Sequence, residues 1–217
     1  MYNVEAMDIA TAHQKVCKLV IEEGEYVETE DKQPTWELPE PVAILVREPM
    51  AGNMRHPMNS LSAKAQIEYL PMVLEAGNVN GHAYTYGDRL HAYPRAIIDG
   101  VEMSYDQMEA IAFKIAAAPT TRRAIAHTWV MDYDADHKTP PCLQTLQFVY
   151  RKELNVVGYF RSNDMADAWG NNAFGLAHLL ERTAGRLGVP MGYLQTISTC
   201  AHIYDGQMKQ AKMIAYG

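Results

Sequence analysis

Cys142 stands directly after Pro140-Pro141, ahead of two strand-like runs, Leu143 to Arg151 and Leu154 to Arg161. The second run ends on Arg161-Ser162-Asn163-Asp164, and a later one ends on His202-Ile203-Tyr204. A thiolate is a soft nucleophile that adds to an electron-poor carbon and can leave again. A guanidinium beside a hydroxyl suits a phosphate dianion, because the planar fork gives two parallel bonds and keeps its charge. His202 and Tyr204 alternate, so they fall on one side of a strand, where an imidazole and a phenol can hold a sugar hydroxyl. Each residue has a blander use: a lone Cys is commonly a buried structural thiol, and Asp after a strand is commonly a turn residue. Their order and context point instead to covalent chemistry on a nucleotide base.

The chain that must position them has 217 residues, 48% hydrophobic and 21% charged, which is enough for one domain, 1–217, with a sizeable core. A formal charge of −7 argues against a general nucleic-acid surface, while a few convergent arginines still suffice for a small anion. Three widely spaced cysteines, Cys17, Cys142 and Cys200, read as reduced thiols of a cytoplasmic protein rather than a disulfide framework. Neither a CxxC pair nor HExxH appears, so no metal is expected. No basic-then-apolar leader opens the chain and no apolar stretch approaches the ~20 residues of a membrane span, so no membrane partner is expected.

Asp8 caps a helix running to Glu23, and Gly24 stops it. Glu25 to Pro41 reads as a ribbon or loop anchored by Trp36, and Val42 to Val46 as a buried strand. Ser62 opens a helical pattern to about Glu75, broken at Pro71. Ser104-Tyr105-Asp106-Gln107 has the form of a capping box ahead of a helix from Met108 to Ala116. Arg123 to Val130 alternates as a strand, Ala173 to Leu187 is an amphipathic helix ending at Gly188, and Gly192 to Tyr204 closes as a strand. Helices and strands do not alternate cleanly, so the expectation is an α/β (α+β) mixed sheet with flanking helices.

From Tyr86-Gly87 to Tyr204 the chain resembles the thymidylate synthase family, most closely its short archaeal-type branch, which is related to dCMP and dUMP hydroxymethylases. The resemblance rests on Arg122-Arg123, Pro141-Cys142, Arg161-Ser162-Asn163-Asp164 and His202-Ile203-Tyr204. It implies a homodimer with sheets packed back to back, and methylation of dUMP by 5,10-methylenetetrahydrofolate or a modified tetrahydropterin. It implies Cys142 as nucleophile, Arg161 and Ser162 as phosphate ligands, and Arg122 and Arg123 reaching the partner's phosphate site; a neighbouring guanidinium such as Arg161 is expected to lower the Cys142 pKa. Asp164 would contact the pterin, and His202 and Tyr204 the deoxyribose 3′-hydroxyl. Asn172, or alternatively Asn171, would read the base. Tyr86 would join a proton relay with a buried glutamate, Glu68 or in reserve Glu75.

The pattern also breaks. Leu143 and Phe160 replace the His and Gln of bacterial members, and no counterpart of their N-terminal phosphate arginine is evident beyond Arg47 and Arg55. Only 13 residues follow Tyr204, so Lys209 to Gly217 would do part of the work of covering the pterin. Less covering material leaves room for water capture, which makes a pyrimidine deoxynucleotide hydroxymethylase the alternative. A non-catalytic nucleotide-binding relative is the third reading.

Overall fold

A computed structural model describes residues 1–77, 84–98 and 101–217, without the side chains of 95–98 and 101–102. In chain order the elements are β1 (Tyr2–Ala6), α1 (Ile9–Glu23), β2 (Glu25–Glu28), β3 (Pro34–Glu37), β4 (Val42–Val46), α2 (Ala63–Tyr69), α3 (Pro71–Leu74) and α4 (Tyr86–His91). Then come β5 (Tyr93–Ile98), β6 (Val101–Tyr105), α5 (Gln107–Ala117), β7 (Ile125–His127), α6 (Met131–Asp134), β8 (Leu143–Tyr150) and β9 (Leu154–Asp164). The chain closes with α7 (Trp169–Leu187), β10 (Met191–Tyr204), a single 3-10 turn and α8 (Met208–Tyr216).

The main sheet runs β1-β4-β10-β9-β8-β7, with β3 also pairing β10 and β2 pairing β3, while β5 and β6 form a separate hairpin. It is mixed: β1 runs parallel to β4 and β9 parallel to β10, whereas β8 is antiparallel to β9. The fold is therefore the mixed α/β arrangement with flanking helices that the element order predicts.

One face of the sheet is buried. Val42, Ile44, Val46, Leu194, Val156, Phe160 and Leu146 pack into one core with Ile9, Val16 and Val20 of α1 and Ala173, Leu176 and Leu180 of α7. Removing this apolar area from water is the main stabilising term, about 25 cal/mol per Å². On the other face Val157, Tyr159, Gln195, Ile197 and Thr199 alternate with those core positions and stay half-buried or exposed.

Local signals explain most element ends. The Asp8 side chain accepts from Thr11 N, capping α1, and Ser62 accepts from Ala65 N, capping α2. Gly188 stops α7 in the left-handed region at φ 65°, where a side chain would be strained.

The capping box at Ser104 does not form. Asp106 caps α5 instead, because Ser104 is drawn into β6 opposite Pro94. Gln107 is buried, donating to the carbonyls of Arg89 and His127 and accepting from His127 N, so it is unavailable for reciprocal capping. The expected strand Arg123 to Val130 shortens to Ile125–His127. The Trp36 ribbon is the β2–β3 hairpin.

Candidate functional site

The C-terminal end of β9, the last residues of β10, the segment before β8 and the first turn of α7 meet around a cavity of about 740 Å³. Cys142, Arg161, Ser162, Asp164, Asn172, His202, Tyr204 and Tyr86 all line it. These residues are distributed over 119 positions, from Tyr86 to Tyr204, so the sheet register is what brings them together. The tip of the β2–β3 hairpin, Thr29 to Asp31, also lines it.

Cys142 is held by its backbone. Its carbonyl accepts from Arg161 N at 3.0 Å, and the next amide, Leu143 N, donates to the Tyr86 hydroxyl at 3.3 Å. Arg161 donates through Nε to the Pro141 carbonyl at 3.0 Å and through Nη2 to the Pro140 carbonyl at 2.8 Å. Burial pushes the Cys142 thiol above its ordinary value; the Arg161 charge pulls it down but does not win, and Asp164 pushes it further up. The expected lowering of this pKa is therefore reversed, because desolvation of a half-buried thiolate outweighs one nearby cation.

Tyr86 opens α4, and the helix sits so close to α3 that a Cβ on Gly87 would lie 2.0 Å from the Glu75 carbonyl oxygen. Only glycine fits there, which lets Tyr86 lie against the nucleophile's strand. Burial holds the Tyr86 phenol well above its usual range, with Cys142 adding to the shift.

The β9–α7 connection uses Asp164 as a turn residue as well as a cavity wall. Its Oδ1 accepts from Ala166 N at 2.9 Å and Asp167 N at 3.2 Å. Burial raises the carboxyl's pKa, while the Asp167 amide, Gln207 and His202 oppose that shift. His202 Nδ1 lies 3.2 Å from the Cys200 carbonyl, which only accepts, so Nδ1 is the donor of that pair and Nε2 makes no protein bond among the described residues. The His202 and Tyr204 rings meet edge to face at 4.9 Å.

The two candidate asparagines separate clearly. Both lie inside the first turn of α7 rather than ahead of it, and Ala168, not either asparagine, is the N-cap. Asn171 turns away from the cavity: its Oδ1 accepts from Asn59 and Gln66, and its Nδ2 donates to the Asp167 carbonyl and Ser60. The structure leaves no bond for it to offer a substrate, which corrects its expected role. Asn172 lines the cavity, with its Oδ1 accepting from the Tyr69 hydroxyl at 3.1 Å.

Glu68 needs a second correction. Its side chain is 64% exposed and pairs with Lys64 at 3.7 Å, on the solvent side of α2. Glu75 is exposed as well. The buried polar positions that face inward from this helix pair are Gln66 and the Tyr69 hydroxyl, two steps and one step from Glu68 in a helix that turns 100° per residue. Lys209 to Gly217 do not cover the cavity: α8 packs Ile214 and Ala215 against Cys17 and Ile21 of α1.

Arg122 and Arg123 are exposed beside β7, at the edge of the sheet, and do not line this chain's cavity. Arg47 is likewise engaged elsewhere, with Glu5 at 2.8 Å. Sequence reasoning did not single out Tyr69, Tyr84 or Lys138, all in the cavity wall. The available signal for Tyr84 was its alternation with Tyr86. Burial pushes its phenol up to about 12. Behind it, a buried Arg89–Asp134 ion pair at 2.8 Å ties α4 to α6 and so fixes the segment leading to Pro140.

Among the described residues no group of three or more His, Cys, Asp or Glu side chains could hold a metal ion, and no helix is long and apolar enough to cross a membrane.

The thymidylate synthase family model matches residues 69–215. A Methanosarcina acetivorans protein named "Putative thymidylate synthase" is 34% identical over 151 residues, which cover 69% of this chain and 66% of that one. A protein of the same name from Methanothermobacter thermautotrophicus is 26% identical over 227 aligned positions, covering 98% of each chain. Another, from Methanocaldococcus jannaschii, is 31% identical over 212 positions, covering 94% of this chain and 91% of that one. The chain belongs to the thymidylate synthase family.

Proposed function

We propose that this protein methylates dUMP to dTMP through a covalent bond between Cys142 and C6 of the base, using 5,10-methylenetetrahydrofolate or a modified tetrahydropterin. The observation that carries the reading is the convergence of Cys142, Arg161, Ser162, Asn172 and His202 on one cavity. Its size falls within the range of about 300–1,000 Å³ usual for small-molecule sites.

Arg161 and Ser162 hold the phosphate, and His202 Nε2 with Tyr204 holds the 3′-hydroxyl. Cys142 adds to C6 as a thiolate; the ring electrons shift toward O4, where the Asn172 amide donates, and C5 becomes nucleophilic. Once C5 is substituted, its proton leaves and the C6–S bond breaks, returning the thiolate. The Tyr86 phenol, neutral and bonded beside the nucleophile, is placed to pass that proton. Glu68, exposed, takes no part.

The reduced pterin supplies the one-carbon unit and, for a methyl product, the hydride. Asp164 and Asn163 fit its ring donors: Asn163 lines the cavity and has a buried Oδ1 with no partner among the described residues.

The working form is a homodimer. Arg161 and Lys138 are the only Lys or Arg side chains among the described residues lining the cavity, against the acids Glu30, Asp31, Glu37 and Asp164. A phosphate dianion needs more positive charge than that, and Arg122 and Arg123 of a second subunit would supply it. The less covered sheet face through Tyr159, Ile197 and Thr199 would pack against its twin.

One observation favours a second reading. With α8 packed on α1, the described cover is the hairpin tip at Thr29–Asp31, so water capture to a hydroxymethyl nucleotide competes with reduction.

The experiment is release of the C5 hydrogen of dUMP by wild type and by Cys142→Ser. The variant should bind dUMP through its phosphate yet release no hydrogen; near-normal release would remove Cys142 from the mechanism.

A further inference from the structure

Asn172 is a buried amide in the cavity wall, and an amide reads a pyrimidine edge ambiguously. Its two ends differ only as donor and acceptor, so a half-turn about the last side-chain bond exchanges them. Uracil offers an acceptor at O4 and a donor at N3; cytosine offers a donor at its amino group and an acceptor at N3. A freely turning asparagine could therefore satisfy either base.

Here it is not free. The Tyr69 hydroxyl donates to Asn172 Oδ1 at 3.1 Å, across 103 positions of sequence. Burial holds the Tyr69 phenol above its usual range, so it stays protonated and remains a donor at any working pH. Tyr69 also has a fixed seat: it ends α2, and its ring lies against Gly175 of α7, where an added Cβ would come 3.5 Å from Cε1. Asn172 Nδ2 donates to no protein group among the described residues, and the residue lines the cavity. The oxygen is thus pinned toward Tyr69 and the amide's donor end is left for the ligand.

We propose that Tyr69 is a specificity-determining positioning residue, which locks the Asn172 amide so that its nitrogen meets a pyrimidine carbonyl and rejects an amino group. The inference rests on the nucleotide-binding function proposed above. Turning Asn172 over would set its NH2 against the phenol and strand the phenol's proton in a buried site. A stranded buried donor typically costs about 1–3 kcal/mol, roughly ten- to hundredfold in binding. That penalty falls on cytosine, which requires the turned amide, and not on uracil. The amide's second oxygen lone pair stays open for uracil N3–H. Asn171 cannot substitute, since its amide is consumed by Asn59, Gln66, Ser60 and the Asp167 carbonyl.

The test measures dUMP and dCMP affinities of the full-length protein by calorimetry, in wild type and Tyr69→Phe, with melting temperature as the check on folding. Phenylalanine keeps the ring and removes only the lock. Wild type should prefer dUMP, and the variant's dUMP-to-dCMP preference should fall by about tenfold. In an Asn172→Ala background the same substitution should leave the ratio unchanged, which a merely structural role for Tyr69 would not require. Tyr69→Met, also without the hydroxyl, serves if the Phe variant does not fold. A preference for dUMP that survives loss of the hydroxyl overturns the inference and leaves the proposed function standing. A wild type that binds neither nucleotide overturns both.

Discussion

Arg161 donates through Nε to the carbonyl oxygen of Pro141 at 3.0 Å, so the cation assigned to the phosphate also braces the peptide that delivers the nucleophile. A lysine keeps the charge but cannot form this fork while facing an anion. Arg161→Lys should therefore weaken dUMP binding by about ten- to hundredfold, the worth of charge-assisted bonds. It should also change the rate at which iodoacetamide alkylates Cys142. Wild-type values for both would mean that Arg161 neither grips phosphate nor braces the loop.

Cys142 itself should behave as a reluctant thiol in the free protein. Burial raises its pKa, so the thiolate fraction is small at neutral pH and grows as pH rises. In a Cys200→Ser background, with Cys17 fully buried, alkylation should increase with pH and reach its midpoint above that of an ordinary cysteine. A midpoint at or below the ordinary value would show that Arg161 dominates after all.

Stability should have its own pH signature. His13 is buried, its Nε2 2.8 Å from the Met165 carbonyl, and burial lowers its pKa from 6.5 to about 4. Above pH 6.5 the ring is neutral in both states and its contribution is complete. Below that the unfolded chain takes up the proton first, so stability falls as pH drops from about 6.5 to about 4. The slope approaches about 1.4 kcal/mol per pH unit from this one group. Denaturant titrations of wild type and His13→Gln should show a shallower acid slope in the variant. Equal slopes would assign the acid sensitivity elsewhere.

Much of this architecture is legible in the sequence, and what is not has physical causes. Leu143–Tyr150, Leu154–Asp164 and Trp169–Leu187 have strong periodicity and clear stops, so they were predictable to within a few residues. β1 was missed because Tyr2–Ala6 is short and exposes Asn3 and Glu5 on its outer face. α8 was missed because its buried positions, Ala211, Ile214 and Ala215, are covered by packing against α1, at the other end of the sequence. Motifs located Cys142, Arg161 and His202, since those side chains follow from strand position. Glu68 and Tyr69 are adjacent in sequence, and only the docking of α2 against α7 determines which of them faces inward.

The dimer is testable by mixing two inactive chains. Arg122 and Arg123 lie outside their own cavity, so an Arg123→Ala chain and a Cys142→Ala chain should complement each other. Half the dimers would be mixed after random exchange, each with one intact site, returning up to roughly a quarter of wild-type activity. No recovery despite confirmed subunit exchange would confine the arginines to their own chain and remove the shared site.

Carbon–carbon bond formation at C5 of dUMP with a methyl outcome can be read from the mass of the nucleotide product. Incubated with dUMP and 5,10-methylenetetrahydrofolate, or a modified tetrahydropterin carrying the same one-carbon unit, the protein should yield a nucleotide heavier by one CH2 group, dTMP. A product heavier by CH2O would establish hydroxymethylation instead, and unchanged dUMP with both carriers would contradict the account.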